Sequence, residues 1–242
     1  MASRDLMLSI CVPVFNEEQN IPPLIERITA VMARQADWTY EIIFADDASE
    51  DGSWAAMKRA AGHDSRVRCL QLDRRSGESA AEDAALKAAR GRFLMTIDAD
   101  LENDPADIPV LLAGLAKSDC VCGSRTGRRR DGLVKAASSW VANAVRNATL
   151  RDRISDSGCT YRVFKRECFQ SIVMYNGFHR FLPTLFKMNG YSVTEVPVRH
   201  SARIHGRSKY GVSNRLFRSL ADMLAVRWMR ARRLDYRIKQ EI

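Results

Sequence analysis

Nowhere in this 242-residue sequence does an apolar run approach the roughly 18 residues that a membrane-spanning helix needs, so no span is expected. The apolar start, 1–14, passes directly into Phe15-Asn16-Glu17-Glu18 without a small-residue cleavage site, which argues against a signal peptide. No G-x-G-x-x-G follows the first apolar run and no G-x-x-x-x-G-K-[ST] occurs, so neither a glycine-cradled dinucleotide nor a P-loop nucleotide is supported. The six cysteines are scattered, and Cys120-x-Cys122 has no second pair to complete a zinc site; they read as reduced core thiols. The four histidines show no metal-ligating spacing. His179, beside Arg180, and His205, beside Gly206, read as structural or substrate-touching, and His63 and His200 as surface or packing residues.

Charge is present in quantity and is unevenly placed. From Ser201 to Ile242 there are eleven Lys and Arg against three acids, which is +8 and leaves only +1 of the net +9 to residues 1–200. A basic end on a nearly neutral body points to an anionic partner: a membrane face, a lipid phosphate or nucleic acid. Nucleic acid is disfavoured, because few aromatics interleave with these cations and no RNA-binding motif is present.

Apolar patterning predicts strands over Leu6–Val14, Tyr40–Ala45, Val67–Leu72, the run beginning at Phe93, and Cys120–Gly123. Helices are predicted over Ile21–Arg34, Ser53–Ala61, Ser79–Arg90 and Ile108–Ala116. This alternation implies an α/β fold with a mainly parallel sheet flanked by helices. One large domain is expected over 1–212, followed over 213–242 by a basic amphipathic helix. Leu216, Phe217, Leu220, Met223, Leu224, Trp228 and Leu234 are its apolar positions. That helix reads either as packed on the domain or as a membrane-surface element.

The stretch Ile97-Asp98-Ala99-Asp100-Leu101-Glu102-Asn103-Asp104-Pro105 organises the rest. If the strand from Phe93 continues through it, Asp98 and Asp100 lie two residues apart and point the same way. Like charges so placed become favourable around a cation, and hard carboxylate oxygens suit Mg2+ or Mn2+ holding a diphosphate. Asp104-Pro105 reads as the cap and first turn of the next helix. Ligands of such sheets bind beyond the C-terminal strand ends, where Pro13–Glu18, Asp46-Asp47 and Asp98–Glu102 are expected to converge.

The series VPVFNEE (12–18), FADDASEDGS (44–53), DADLENDP (98–105) and CGSR (122–125) resembles the family-two glycosyltransferases of the GT-A fold. SDSGCTYRVFKRE (155–167), FHRFLP (178–183), GYSVTEVPVRH (190–200) and RIHGRSKYG (203–211) are similar to the polyprenyl-phosphate sugar synthases. These are the dolichyl-phosphate mannose synthase and undecaprenyl-phosphate glycosyltransferase group, and the resemblance runs over about 7–230. It implies a metal-dependent, inverting enzyme of cell-envelope biogenesis that moves a sugar from a nucleotide-diphosphate sugar to a polyprenyl phosphate. Pro13, Phe15, Glu17 and Asp46 would hold base and ribose, with Asp98 on the nucleotide sugar. Asp98, Asp100 and Glu102 would hold Mg2+ or Mn2+ and the diphosphate. Arg125, Lys135 and Ser139 fall where the family grips the acceptor phosphate. Arg203, Arg207, Ser208 and Lys209 fall in a loop that closes over the phosphates, Arg203 and Ser208 on the acceptor side. Asp100, Arg125, Arg207 and Lys209 would carry the catalysis.

The chain departs from the family pattern in three respects: Ala48 stands where glycine is usual, Glu102 where glutamine is common, and the C-terminal transmembrane hairpins of many members are missing. The expected location is therefore peripheral, on the cytoplasmic face of a membrane, and a homo-oligomer and a membrane-protein partner are both compatible with it. Two other readings stay open: an enzyme of the same fold with a saccharide or other lipid acceptor, and a non-catalytic module that binds membrane or RNA.

Overall fold

The computed structural model describes residues 6–125, 146–150, 152–201, 212–234 and 240. In chain order the elements are β1 (Leu8–Val14), α1 (Ile21–Met32), β2 (Tyr40–Asp46), α2 (Ser53–His63), β3 (Val67–Gln71), α3 (Glu78–Ala88) and β4 (Phe93–Thr96). A 3-10 turn (Pro105–Asp107) leads into α4 (Ile108–Gly114), β5 (Cys120–Ser124) and a helical stretch, α5, described over 146–150. Then come β6 (Arg162–Lys165), α6 (Arg166–Gln170), a second 3-10 turn (Phe178–Phe181), α7 (Leu182–Met188), β7 (Val193–Pro197) and α8 (Val212–Arg232).

The strands form one seven-stranded sheet in the order β3-β2-β1-β4-β6-β5-β7. It is parallel except where β6 inserts antiparallel between β4 and β5. The expected mainly parallel sheet is therefore present, and β6 and β7 join the five strands that apolar patterning marks. Side-chain alternation along β1 divides the core. Leu8, Ile10, Val12 and Val14 pack with Ile21, Leu24 and Ile28 of α1, whereas Cys11 faces Ala81, Ala85 and Leu86 of α3. Burial on both faces is what lets β1 and β2 read as nearly continuous apolar runs.

A third cluster attaches α8. Met223 and Val226 are buried against Leu150, Phe178, Phe181 and Leu185. Two cations bond carbonyls of α5, Arg227 donating to Thr149 O (3.1 Å) and Arg230 to Leu150 O, and Lys187 donates to Asp152 O just beyond it (2.6 Å). Cations at a helix C-terminus satisfy orphan carbonyls and oppose the helix dipole. The apolar positions of α8 do not form one face. Met223 and Val226 turn inward, while Leu220, Leu224 and Trp228 remain exposed. Among the described residues, no helix is long and apolar enough to cross a membrane.

Candidate active site

Parallel pairing places the C-terminal ends of β1, β2 and β4 on one edge of the sheet. Val14 is level with Asp46, Cys11 is level with Thr96, and the Ile97 N–H donates to Cys11 O at 3.2 Å. The loops leaving β1 and β2 are stitched together. Asn16 N donates to Ser49 Oγ (2.9 Å), Glu50 N to Asn16 Oδ1 (2.8 Å), and Glu17 N to Ser53 Oγ (2.8 Å). Ala48 sits at φ +54°, in the left-handed region. A glycine would occupy that turn without strain, whereas alanine holds it at a cost of about 1 kcal/mol or more.

Pro13 is half-buried in β1 opposite Ala45. Phe15 carries the Arg75 guanidinium over its ring at 4.1 Å. The Glu17 carboxylate accepts from Asn20 Nδ2 at 2.6 Å, which ties it to the start of α1. Asp46 is fully buried and accepts from Ser49 N and from Gln71 Nε2, both at 3.2 Å. Its neighbour Asp47 accepts from Ser76 N (2.6 Å) and Gly77 N (2.9 Å), so its carboxylate anchors the turn that starts α3.

The acidic stretch is not the strand extension expected from alternation. β4 ends at Thr96, and Asp98 and Asp100 lie in the following loop. Thr96 Oγ1 donates to Thr160 O, and Thr160 Oγ1 donates to Asp98 Oδ2, both at 2.5 Å. Asp100 Oδ1 accepts from Glu102 N at 3.0 Å, closing a tight turn in which Leu101 takes φ +61°. The two carboxylates still feel each other: burial, then the charges of Glu78 and Asp100, push the Asp98 carboxyl well above the usual carboxylate range. Among the described residues no three His, Cys, Asp or Glu side chains close around one point, so Asp98, Asp100 and Glu102 do not form a ready-made cage.

Glu102 O accepts from Ser201 N at 2.9 Å, and Asn103 bridges to His200. Ser201 thus lies at the rim of the acidic loop. Arg125 is nearby and largely buried. Its Nε and Nη2 fork onto Asp156 at 2.8 and 2.9 Å, and its own N–H donates to the same carboxylate. The fork commits two guanidinium nitrogens and fixes the plane of the group. Lys135, Ser139, Arg203, Arg207, Ser208 and Lys209 lie outside the described residues.

Arg162, Glu78 and Ser79 at this edge are not singled out by the sequence, and His179 reads there only as structural or substrate-touching. Arg162, wholly buried in β6, donates to His179 O and Cys159 O, both at 2.7 Å, and is a fixed positive charge close enough to oppose the shifts of Asp98 and Glu82. Ser79 Oγ accepts from Gly177 N (2.9 Å) and lies 2.5 Å from His179 Nδ1, while His179 Nε2 lies 3.5 Å from Glu78 Oε1. For a neutral ring this assigns the proton to Nε2, facing the Glu78 carboxylate, with Ser79 donating to Nδ1. A serine and a glutamate at the start of an alanine-rich helix look like ordinary capping in sequence, so nothing marked them.

The model for the family described as Glycosyl transferase family 2 matches residues 9–173, well over half of the chain. A dodecaprenyl-phosphate galacturonate synthase of Rhizobium johnstonii is 34% identical over 228 residues, covering 92% of this chain and 67% of that protein. An undecaprenyl-phosphate 4-deoxy-4-formamido-L-arabinose transferase of Aeromonas hydrophila is 34% identical over 208 residues, covering 85% and 63%. The chain thus spans about two thirds of the length of these relatives, and less than two thirds of the second. A solved structure of similar fold is the Mycobacterium tuberculosis glucosyl-3-phosphoglycerate synthase in complex with Mn2+, UDP and glucosyl-3-phosphoglycerate. It has a TM-score of 0.66 at 20% identity, over 95% of this chain and 81% of that one. At that identity the likeness shows the fold, which is of the GT-A type.

Proposed function

The chain belongs to glycosyl transferase family 2, and from that premise we propose that it moves a sugar from a nucleotide-diphosphate sugar to a polyprenyl phosphate, with inversion and with a divalent ion. The observation that carries this reading is the crowded pair Asp98 and Asp100 on the edge shared with Asp46 and the β1 loop. The names of the relatives, whose acceptors are dodecaprenyl and undecaprenyl phosphate, support the acceptor class. The residues fit an ion. They offer hard carboxylate oxygens, and burial, then the charges of Glu78 and Asp100, make Asp98 hold its proton more tightly than an ordinary aspartate. Mg2+ or Mn2+ commonly takes one or two protein carboxylates and completes its shell on substrate phosphates, so no three-acid cage is needed. Asp98 and Asp100, with Glu102, would hold the ion, which would supply counter-charge to the departing nucleoside diphosphate.

The protein's own groups do the rest. Pro13, Phe15 and Glu17 flank the base and ribose together with Asp46, and Arg75 over Phe15 stiffens that wall. The acceptor phosphate already carries a negative oxygen near neutral pH, its second pKa being about 6, so it needs no general base. That oxygen forms a bond to the anomeric carbon from the face opposite the diphosphate. The carbon–oxygen bond to the diphosphate breaks, and its electron pair leaves with the nucleoside diphosphate. Arg125, held by Asp156, would orient the incoming phosphate with Lys135, Ser139, Arg203 and Ser208. Arg207 and Lys209 would screen the repulsion between two anions brought together. The enzyme works peripherally at the cytoplasmic face of the membrane that contains its acceptor.

Replacing Arg207 or Lys209 by alanine is expected to lower kcat/KM for polyprenyl phosphate by about a hundredfold while donor affinity changes by less than about threefold. Turnover with an undecaprenyl phosphate acceptor, and calorimetry with UDP- and GDP-sugars in Mn2+, separate the two effects. Equal loss of donor affinity would assign the segment to the diphosphate. Turnover with a free saccharide but not with the lipid phosphate would overturn the acceptor class.

A further inference from the structure

Exposed apolar surface is concentrated on one side of the molecule. Among the described residues seven large apolar side chains are exposed, and four of them are Leu220, Leu224, Trp228 and Leu234, on α8 or just past its end. Two more, Val173 and Tyr175, lie in the turn before Gly177, whose Cα abuts Asp222 of α8. Leu220, Leu224 and Trp228 follow one another at intervals of four and form a single row along the helix. Val226, which packs inward, lies two residues from both Leu224 and Trp228, about 200° around the helix. The row is thus not the edge of the packed face but a second stripe directed away from the domain. Trp228 and Leu224 are 64% and 60% exposed, far more than a solvated helix face requires of a tryptophan and a leucine.

We propose that this stripe is a docking surface for an anionic lipid bilayer, with Leu220, Leu224 and Trp228 seated at the level of the headgroups and upper acyl chains. Charge selects the occupant. Over 219–234 the exposed arginines are Arg227 and Arg230, which also donate to the Thr149 and Leu150 carbonyls, and Arg232 and Arg233 at the helix end, against the single acid Asp222, which packs at Gly177. Arginines beside an apolar row that includes a tryptophan match an interface of anionic headgroups over hydrocarbon. A second copy of the chain would bring the same positive end against its like, which opposes self-association through this face. The row is also too short to cross a bilayer, so the helix lies in the interface plane and leaves the fold on the aqueous side. The proposal takes its purpose from the lipid-phosphate acceptor proposed above, but its test needs neither donor nor metal.

The experiment is co-sedimentation of the whole chain with vesicles of phosphatidylcholine alone and of phosphatidylcholine with one quarter phosphatidylglycerol, at low and high salt. Binding to the anionic vesicles is expected, weakening with salt. Leu224→Ser with Trp228→Ser should lower the partition coefficient about tenfold or more, and Arg232→Gln with Arg233→Gln should lower it on anionic vesicles only. Because these side chains are exposed, thermal midpoints should stay within about 2 °C of the parent. Bromine-labelled acyl chains should quench fluorescence in the parent, and Trp228→Phe should remove that quenching. Unchanged binding of the serine variant, or quenching that survives Trp228→Phe, would overturn the proposal. So would a dimer in sedimentation velocity that the serine variant abolishes, since it would assign the stripe to a second copy. Vesicle binding by a chain that turns over no lipid phosphate would leave the docking surface in place and remove the proposed acceptor instead.

Discussion

Asp100→Asn is expected to lower turnover by about three orders of magnitude or more and to leave the fold in place. The two halves of that expectation come from different atoms. Asp100 Oδ1 accepts the Glu102 N–H at 3.0 Å, and an asparagine oxygen accepts the same bond, so the turn through Leu101 keeps its closure. What the amide cannot supply is the negative charge that Asp100 is proposed to turn toward the ion and the diphosphate. Loss of one such preorganised electrostatic group commonly costs a hundred- to a thousandfold, and loss of an ion-holding carboxylate more. Thermal unfolding in chelator should be nearly unchanged, whereas the rise in midpoint produced by UDP with Mn2+ should shrink, because that rise measures binding to the native state. A variant that turns over like the parent, or a parent indifferent to excess chelator, would remove the metal from the mechanism.

The parts of this molecule that were legible in sequence are those in which a local pattern and its physical consequence coincide. β1 and β2 are buried on both faces, so their apolar runs announce parallel strands, and the acids that follow them fall at the ligand edge without further assumption. Asp104 as a cap was legible for the same reason: its Oδ1 accepts from Ala106 N within the next turn. Other features depend on chain segments far apart in sequence. β6 is only Arg162–Lys165, and its first residue is an arginine that no apolar pattern would place in a core. It is tolerated there because carbonyls of His179 and Cys159 receive its donors. The Asp98–Asp100 geometry was anticipated for the wrong reason. The chain leaves the strand two residues early, and a turn rather than a pleat brings the carboxylates into electrostatic contact. On α8 a helical period is visible, but a period alone does not say that Met223 and Leu224 part company, one into the Phe178–Phe181 cluster and the other outward.

Glu82 is a further residue whose sequence context, an alanine-rich helix, suggests a solvated acid, and its burial leads to a large expected effect on stability. The side chain is 2% exposed, its Oε1 has no hydrogen-bond partner among the described residues, and it lies within electrostatic reach of Arg162, Glu78 and Asp98. Burial is the main cause that pushes its carboxyl up to about 8, with Arg162 opposing and Glu78 and Asp98 adding to the rise. The sign follows from proton counting. Between an unfolded value near 4.5 and the folded value near 8, the native state keeps a proton that the unfolded chain has released, so stability falls as pH rises through that window and levels off above it. Glu82→Gln has no proton to lose. Its stability relative to the parent should be constant below about pH 4.5 and should then improve as pH rises, reaching a few kcal/mol by about pH 8.5. Denaturant unfolding of both proteins in chelator at half-unit steps from pH 5 to 9 measures the difference. Asp98 titrates in both, so the comparison isolates Glu82 from it to first order. Parallel curves across that range would mean that Glu82 is ionised in the native state and that Arg162, only 2.7 Å from the His179 carbonyl, offsets its burial. Diverging curves would mean that α3 keeps a neutral acid beside the carboxylates proposed to hold the ion, adding no further negative charge to a loop that already carries Asp98 and Asp100.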